Sequence, residues 1–291
     1  MNNFANIGLF TSSVSPEKIF IAKQIEEILG SKGCRILYDN TFKKDTNLKN
    51  LKTYSSKYLI SHCDLVIAIG GDGTMLSCSR LYGLQAIPIL GINLGRLGFL
   101  TDIAPDELTT KLQEVLSGKY TLDHRFFLES TVKGGKKKHI ALNEVVIHSG
   151  AIAQLIEYDL FIDDVFVFRQ KADGIIISSP TGSTAYSLSG GGPIVHPSLD
   201  AISIVPMFPH SLSSSPLVIN AQSHIKIVTV GKKSKASLSF DSHNSMSIPG
   251  ENEINIRKSA SMLNLIHPIG HDFYDGCRNK LGWSSGIIKT D

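Results

Sequence analysis

Short apolar runs alternate with longer amphipathic stretches through the first 120 residues. Residues 4–10 are apolar and are closed by Thr11-Ser12-Ser13, which predicts a first strand. Ser15-Pro16-Glu17 then marks a helix start, with serine at the N-cap and proline in the first turn. Ile19, Ile21, Ala22, Ile25, Ile28 and Leu29 recur at helical spacing up to Gly30. The pattern continues as a strand at 35–38, a weaker helix at 48–60, strands at 65–69 and 87–90, and a helix at 105–116 ending near Gly118. Such alternation predicts a parallel, doubly wound α/β domain over residues 1–120. Ligands of such sheets sit beyond the carboxyl ends of the strands. Two glycine-rich loops open there, Gly70-Gly71-Asp72-Gly73-Thr74 and the stretch 91–100.

Beyond residue 120 the period changes. Residues 126–132, 139–147, 156–162, 165–169, 174–178, 225–230, 236–240 and 253–256 are strand-like, and Asp163-Asp164 suits a hairpin turn. The one helix expected here is short and follows Thr184. The fold class is therefore α/β plus mostly-β: a doubly wound N-terminal domain and a β-rich, mostly antiparallel domain over 121–265. The tail, 266–291, contains Phe273, Tyr274 and Trp283 and is expected to pack back on the N-terminal domain.

Three stretches could carry chemistry. In the glycine turn after the strand 65–69, a helix beginning at Thr74 would direct N–H groups at an anion. Asp72 in the same turn would repel a phosphate unless a metal or a substrate hydroxyl lies between them. The turn also fits a plain strand–turn–helix connection with Asp72 as a cap. The second stretch runs from Asp173 through Ser178-Ser179-Pro180-Thr181-Gly182-Ser183-Thr184-Ala185-Tyr186-Ser187-Leu188-Ser189 to Gly190-Gly191-Gly192. Its hydroxyls and backbone N–H groups suit ribose and pyrophosphate oxygens, and an ordinary Ser/Thr-rich turn has the same composition. The third is Asn143-Glu144, polar neighbours inside the apolar run 141–147, one of which should point inward. A buried carboxylate needs a partner or a function. No P-loop, G-x-G-x-x-G helix start or H-E-x-x-H motif occurs and no G-x-S-x-G serves as a nucleophile elbow, which argues against a serine hydrolase or metalloprotease.

Composition narrows the partners. The chain has 291 residues, 42% hydrophobic and 19% charged, as in a globular protein with ample core. A net charge of +3 is too mild to argue for nucleic acid, and the lysine clusters at 133–138 and 232–235 read as solvated hairpin tips. Cys34, Cys63, Cys78 and Cys277 are far apart, with no C-x-x-C pair, as free thiols in a reducing compartment would be. No apolar run approaches a membrane span and the first residues lack a basic leader, so no membrane partner is expected and the cytoplasm is.

With these stretches in place, the chain resembles the NAD kinases, and most closely their bacterial branch. The resemblance rests on the Gly-Gly-Asp-Gly-Thr turn, on Asn143-Glu144 and on Thr181-Gly182-Ser183-Thr184-Ala185-Tyr186-Ser187-Leu188-Ser189. It extends to Asn93-Leu94-Gly95-Arg96-Leu97-Gly98-Phe99-Leu100 and Pro206-Met207-Phe208-Pro209-His210, and so covers nearly the whole chain. It implies transfer of the terminal phosphoryl group of ATP or polyphosphate to the 2′-hydroxyl of the adenosine ribose of NAD, giving NADP, with a divalent metal, Mg²⁺, as cofactor.

The resemblance also implies the roles. Asp72 would accept the proton; a carboxylate is a weak base for an alcohol, so it would align the hydroxyl and take the proton late. Gly70, Gly71, Gly73 and Thr74 would form the donor-phosphate loop, with Gly73 also against NAD. Phe99 would wall the adenosine pocket, Asn143 and Glu144 would bind the adenosine end, and Thr184, Ala185, Tyr186, Ser187, Leu188 and Ser189 would surround adenine and ribose. Lys171 and Asp173 would reach the nicotinamide side from a neighbouring subunit, which implies a homodimer or homotetramer. His243, where a glutamine is common, would be a further contact. Which residues hold the metal is unassigned. The alternatives are a silent NAD-binding sensor, a lipid or sugar kinase sharing only the glycine turn, and the reverse 2′-phosphatase.

Overall fold

The computed structural model describes residues 4–44, 51–95, 98–135, 137–150, 154–211, 214–231, 235–242 and 244–283. The chain forms two compact units: residues 1–124 with 262–291, and residues 125–261.

The first unit begins with β1 (Asn6–Phe10), α1 (Pro16–Ser31), β2 (Arg35–Asp39), β3 (Thr53–Tyr54) and α2 (Ser56–His62). It continues with β4 (Leu65–Ile69), α3 (Asp72–Leu81), β5 (Ile89–Ile92) and α4 (Leu108–Leu116). Ser15 caps α1, accepting the Lys18 N–H, and Pro16 opens it. The buried face of α1, Ile21, Ala22, Ile25 and Leu29, joins Ile7, Leu9, Ile67, Leu90, Leu112 and Val115 in one core. The expected helix at 48–60 is shorter. Residues 48–50 lie outside the described chain, Thr53–Tyr54 pair with β2, and the Ser55 side chain caps a helix that starts only at Ser56. The next helix also starts late, at Leu108 rather than 105.

The strands of this sheet run parallel in the order β3-β2-β1-β4-β5. Chain progression reverses between β1 and β4, and that reversal opens the crevice in which doubly wound sheets take ligands. Both β1 and β4 end there, β4 with every residue buried.

The second unit is antiparallel. Its strands are β6 (Tyr120–Val132, entering from the first unit), β7 (His139–Ala141), β8 (Glu144–His148), β9 (Ile156–Ile162), β10 (Val165–Ala172) and β11 (Gly174–Ser178). A 3-10 turn, Thr181–Thr184, and the single-turn helix α5 (Tyr186–Ser189) follow. Then come β12 (Ala201–Met207), β13 (Leu217–Asn220), β14 (Ile225–Thr229), β15 (Lys235–Phe240) and β16 (Asn244–Pro249). The order β13-β12-β11-β8-β15-β16 makes a six-stranded sheet. Asp163 and Asp164 take φ of 49° and 63°, the left-handed pair that a tight hairpin between β9 and β10 requires.

The long strand β17 (Asn252–Pro268) pairs with β14 at its start and, in the first unit, runs parallel to β5 at Leu265 and Ile266. Helix α6 (Phe273–Leu281) then returns to the first unit. No helix among the described residues is long and apolar enough to cross a membrane.

Candidate active site

The β4–α3 turn is shaped by glycine at one position above all. Gly70 has φ +146°, and a Cβ there would lie 2.9 Å from Thr74 Cβ. Gly71 is the helix N-cap and α3 starts at Asp72, two residues before the expected start. Asp72 is therefore in the first helical turn and is not a cap. The Thr74 N–H, expected to be open to a donor phosphate, is bonded to Gly71 O at 2.9 Å. What the turn offers instead is a hydroxyl cluster. Thr74 Oγ1 meets Ser12 Oγ at 2.8 Å, and Thr11 Oγ1 donates to Ile69 O, so the ends of β1 and β4 are tied together. Lys18 reaches the same loop, with Nζ 2.9 Å from both Ser13 O and Ser13 Oγ, and burial lowers its pKa.

Asp72 is held by three donors. Its Oδ2 accepts the Phe99 N–H at 3.1 Å and the Lys280 ammonium at 2.7 Å, and its Oδ1 accepts the Leu100 N–H at 3.1 Å. Gly98 permits this, because a Cβ at that position would overlap the Asp72 carboxylate. Phe99, expected to wall a pocket, lies under Lys280 and near Phe273. Arg96 and Leu97 of this loop lie outside the described residues.

A second polar cluster stands beside the same loop. Asp102 Oδ2 bonds His267 Nδ1, and Asp102 Oδ1 lies 3.0 Å from His271 Nδ1. His267 Nε2 faces Asp123 at 3.4 Å. Burial alone would raise the Asp102 pKa, yet the two histidines hold it down at about 2. Burial would likewise depress His267, and Asp102 and Asp123 together lift it to about 9. Asp102, His267 and His271 are near enough to ligate a metal, but the two rings stack at 3.9 Å and 11°. Parallel rings direct their lone pairs side by side rather than at one ion, so the cluster is arranged as an ion pair network.

In the second unit, Asn143 and Glu144 are both buried, at 9% and 2% exposure, although alternation along one strand would turn only one inward. The strand breaks after Ala141 and restarts at Glu144, and the break lets both side chains in. Asp241 secures the break: its carboxylate accepts the N–H groups of Leu142, Asn143 and Glu144 at 3.0, 2.8 and 3.3 Å. Ser179 closes the other side, its N–H donating to Asn143 O and its hydroxyl to Leu142 O. Asn143 Oδ1, Glu144 Oε2 and Ser187 Oγ are buried without a protein partner. Buried polar atoms are rarely left so unless a ligand or water completes them.

Thr184, Ala185 and Leu188 are half-buried around that segment, and Tyr186 and Ser189 are exposed. Lys171 is exposed, its Nζ 3.6 Å from Glu157, and Asp173 N–H donates to Met207 O at the junction of β10 and β11. His243 lies outside the described residues.

Burial, with the Asp241 charge nearby, lifts the Glu144 pKa to about 8. In the unfolded chain the group titrates near its ordinary ~4.5, so between there and 8 the unfolded state releases a proton that the folded state keeps. Stability is therefore fully present below about 4.5 and falls with rising pH until about 8, by at most about 1.4 kcal/mol per unit. We expect the thermal midpoint of the ligand-free protein to decline more steeply between pH 5 and 8 than that of Glu144→Gln. Equal slopes in the two proteins would contradict the buried, protonated Glu144.

Several of these groups are not marked in the sequence. Lys280 sits 208 residues from Asp72 and belongs to no motif. Asp241 belongs to no periodic pattern either; in the structure its φ is 49°, a conformation that aspartate tolerates better than most side chains.

The arrangement has known counterparts. Residues 7–120 match the family model of the ATP-NAD kinase N-terminal domain, and residues 142–268 that of the C-terminal domain. An NAD kinase of Teredinibacter turnerae is 45% identical over 290 residues, 98% of this chain and 99% of its own. One from Pseudomonas aeruginosa is 43% identical over 291 residues, 99% of both. Among solved structures, yeast NADH kinase complexed with NADH superposes with a TM-score of 0.89 at 28% identity, covering 100% of this chain and 91% of that one. An Archaeoglobus fulgidus NAD kinase in complex with ATP gives 0.75 at 26% identity, covering 95% and 97%. The two family models and these full-length relatives together show that this chain belongs to the NAD kinase family.

Proposed function

We propose that this NAD kinase transfers the terminal phosphoryl group of ATP to the 2′-hydroxyl of the adenosine ribose of NAD, with Asp72 as the proton acceptor. The observation that carries this reading is the binding of Asp72 by two backbone amides and one ammonium at the reversal point of the sheet. An acid oriented in that way before substrate arrives spends no binding energy on alignment. Asn143, Glu144 and the 184–189 segment recognise the adenosine, and the unpartnered Asn143 Oδ1, Glu144 Oε2 and Ser187 Oγ are the atoms the ligand would complete. Glu144, protonated at neutral pH, can donate as well as accept a hydrogen bond, which suits a hydroxyl. Gly73 and Phe99 complete the contacts assigned to the first unit, and His243 is a further contact.

The hydroxyls of Thr74 and Ser12, 2.8 Å apart, are hard oxygen donors that fit Mg²⁺ carried in on the donor's phosphates. When bound, the ion would offset the phosphate charge. The donor loop is Gly70, Gly71, Gly73 and Thr74, together with Ser12 at the end of β1.

Lys171 and Asp173 act in a homodimer or homotetramer, each reaching the nicotinamide end of the neighbouring subunit's NAD. The exposed apolar residues Val165, Phe166 and Val167 on β10, in the same strand as Lys171, support such an assembly.

The reading is tested with purified protein, NAD, ATP or polyphosphate, and Mg²⁺. Formation of 2′-phosphorylated NAD is expected, and it should require the divalent ion. Binding of NAD without product would leave a sensor in place of an enzyme.

A further inference from the structure

Lys280 ends α6 with its ammonium against Asp72, and the whole of α6 is built around the loop that holds that acid. At the start of the helix, Asp272 caps it by accepting the Tyr274 N–H at 2.8 Å. One residue earlier, His271 Nδ1 lies 3.0 Å from Asp102 Oδ1. Along its length, Phe273 and Phe99 approach with ring centroids 6.3 Å apart. Gly276 lets the helix come close, since a Cβ there would lie 3.3 Å from the Phe99 ring. At its end, Lys280 Nζ lies 4.6 Å from the Phe99 centroid, a cation–π contact, and 2.7 Å from Asp72 Oδ2. The segment 98–102 is therefore held at Asp102 by His271, and the Asp72 carboxylate that its N–H groups bind is held in turn by Lys280.

Asp72 has little structural need of that cation. Two backbone N–H groups already orient it, and both partners are partly exposed, at 24% and 32%. A partly exposed ion pair adds little stability. The placement has a different consequence, which rests on the reading of Asp72 as proton acceptor. From it we infer that Lys280 is a catalytic residue: it pairs with Asp72 in the resting enzyme and with the transferring phosphoryl group during reaction.

As the acceptor oxygen bonds to the terminal phosphorus, its proton passes to the Asp72 carboxylate. The bond from that phosphorus to the bridging oxygen breaks, and its electron pair leaves with the nucleoside diphosphate. Protonation removes the anion that Lys280 was facing, in the same step that loads charge onto the phosphoryl and leaving oxygens. An ammonium on a flexible four-carbon stem, with three donors, turns toward that charge. Because the new contact exists only as charge develops, it raises kcat rather than lowering KM.

Lys280→Met keeps the stem over Phe99 and removes the charge. We expect kcat to fall about 100-fold, with KM for NAD within about threefold and an unchanged thermal midpoint. Lys280→Arg should recover part of the rate, and methylammonium should restore part of it to Lys280→Ala. A kcat for Lys280→Met within about threefold of native, beside an inactive Asp72→Asn, would overturn the role of Lys280 and leave that of Asp72 standing. A large loss that comes with a lowered midpoint, a raised KM and no rescue by amine would also overturn it, making Lys280 a strut for α6. An active Asp72→Asn would instead remove the reading on which the inference rests.

Discussion

Asp72→Asn is expected to cut the rate of NADP formation by about 10³-fold while NAD still binds. The amide has nearly the size of the carboxylate and keeps one oxygen for the Phe99 or Leu100 N–H. It has no site for the hydroxyl proton and no charge to pair with Lys280. Because Asp72 also orients the 98–100 backbone, the assay needs two companions: calorimetric NAD binding and the thermal midpoint. Loss of rate with both companions intact identifies a chemical role. Loss of all three identifies a collapsed loop, and an undiminished rate would sink the mechanism.

The second large effect is expected at Gly182. It sits in the 3-10 turn Thr181–Thr184, where an added Cβ would lie 2.7 Å from Asn143 Cα and overlap the Asn143 carbonyl. Every atom it meets is backbone, already fixed by Asp241, Ser178 and Ser179, so no side chain can rotate away. Overpacking of this kind costs about 1–3 kcal/mol. Gly182→Ala should therefore destabilise the protein by that much in chemical denaturation and weaken NAD at least tenfold in calorimetry. Gly30→Ala, in helix α1 with nothing within 4 Å of the new methyl, is the matched control: it should leave NAD affinity unchanged and should not destabilise the protein. Native NAD affinity in Gly182→Ala would take the Asn143 peptide out of the binding site.

What could be read from the chain beforehand followed from local physics. The Ser15-Pro16 start of α1, the wholly apolar β4 and the Asp163-Asp164 hairpin each depend on a few neighbouring residues, and each stands where the pattern places it. The Gly-Gly-Asp-Gly-Thr turn and Asn143-Glu144 were legible for the same reason. Strand β12 was missed because Pro206 interrupts its pattern. Its pairing with β13 covers only Ala201 to Ile204, so at Pro206 the missing N–H faces no partner strand on that side. The break that buries both Asn143 and Glu144 was also missed, because the acid that makes it, Asp241, lies about a hundred residues away. Lys280 and the Asp102–His267–His271 cluster are invisible for the same cause: side chains meeting across the fold leave no periodic trace.

The distance between Asp72 and Lys280 along the chain is also a delay. At synthesis rates of roughly 5–20 residues per second, the 208 residues between them take about 10–40 s to add. Throughout that interval the second unit is being completed inside an unfinished first one, whose chain it interrupts. A nascent chain thus carries the acid of the glycine turn before the cation that faces it exists. The ion pair at Asp72 can form only after the whole of the second unit has been made.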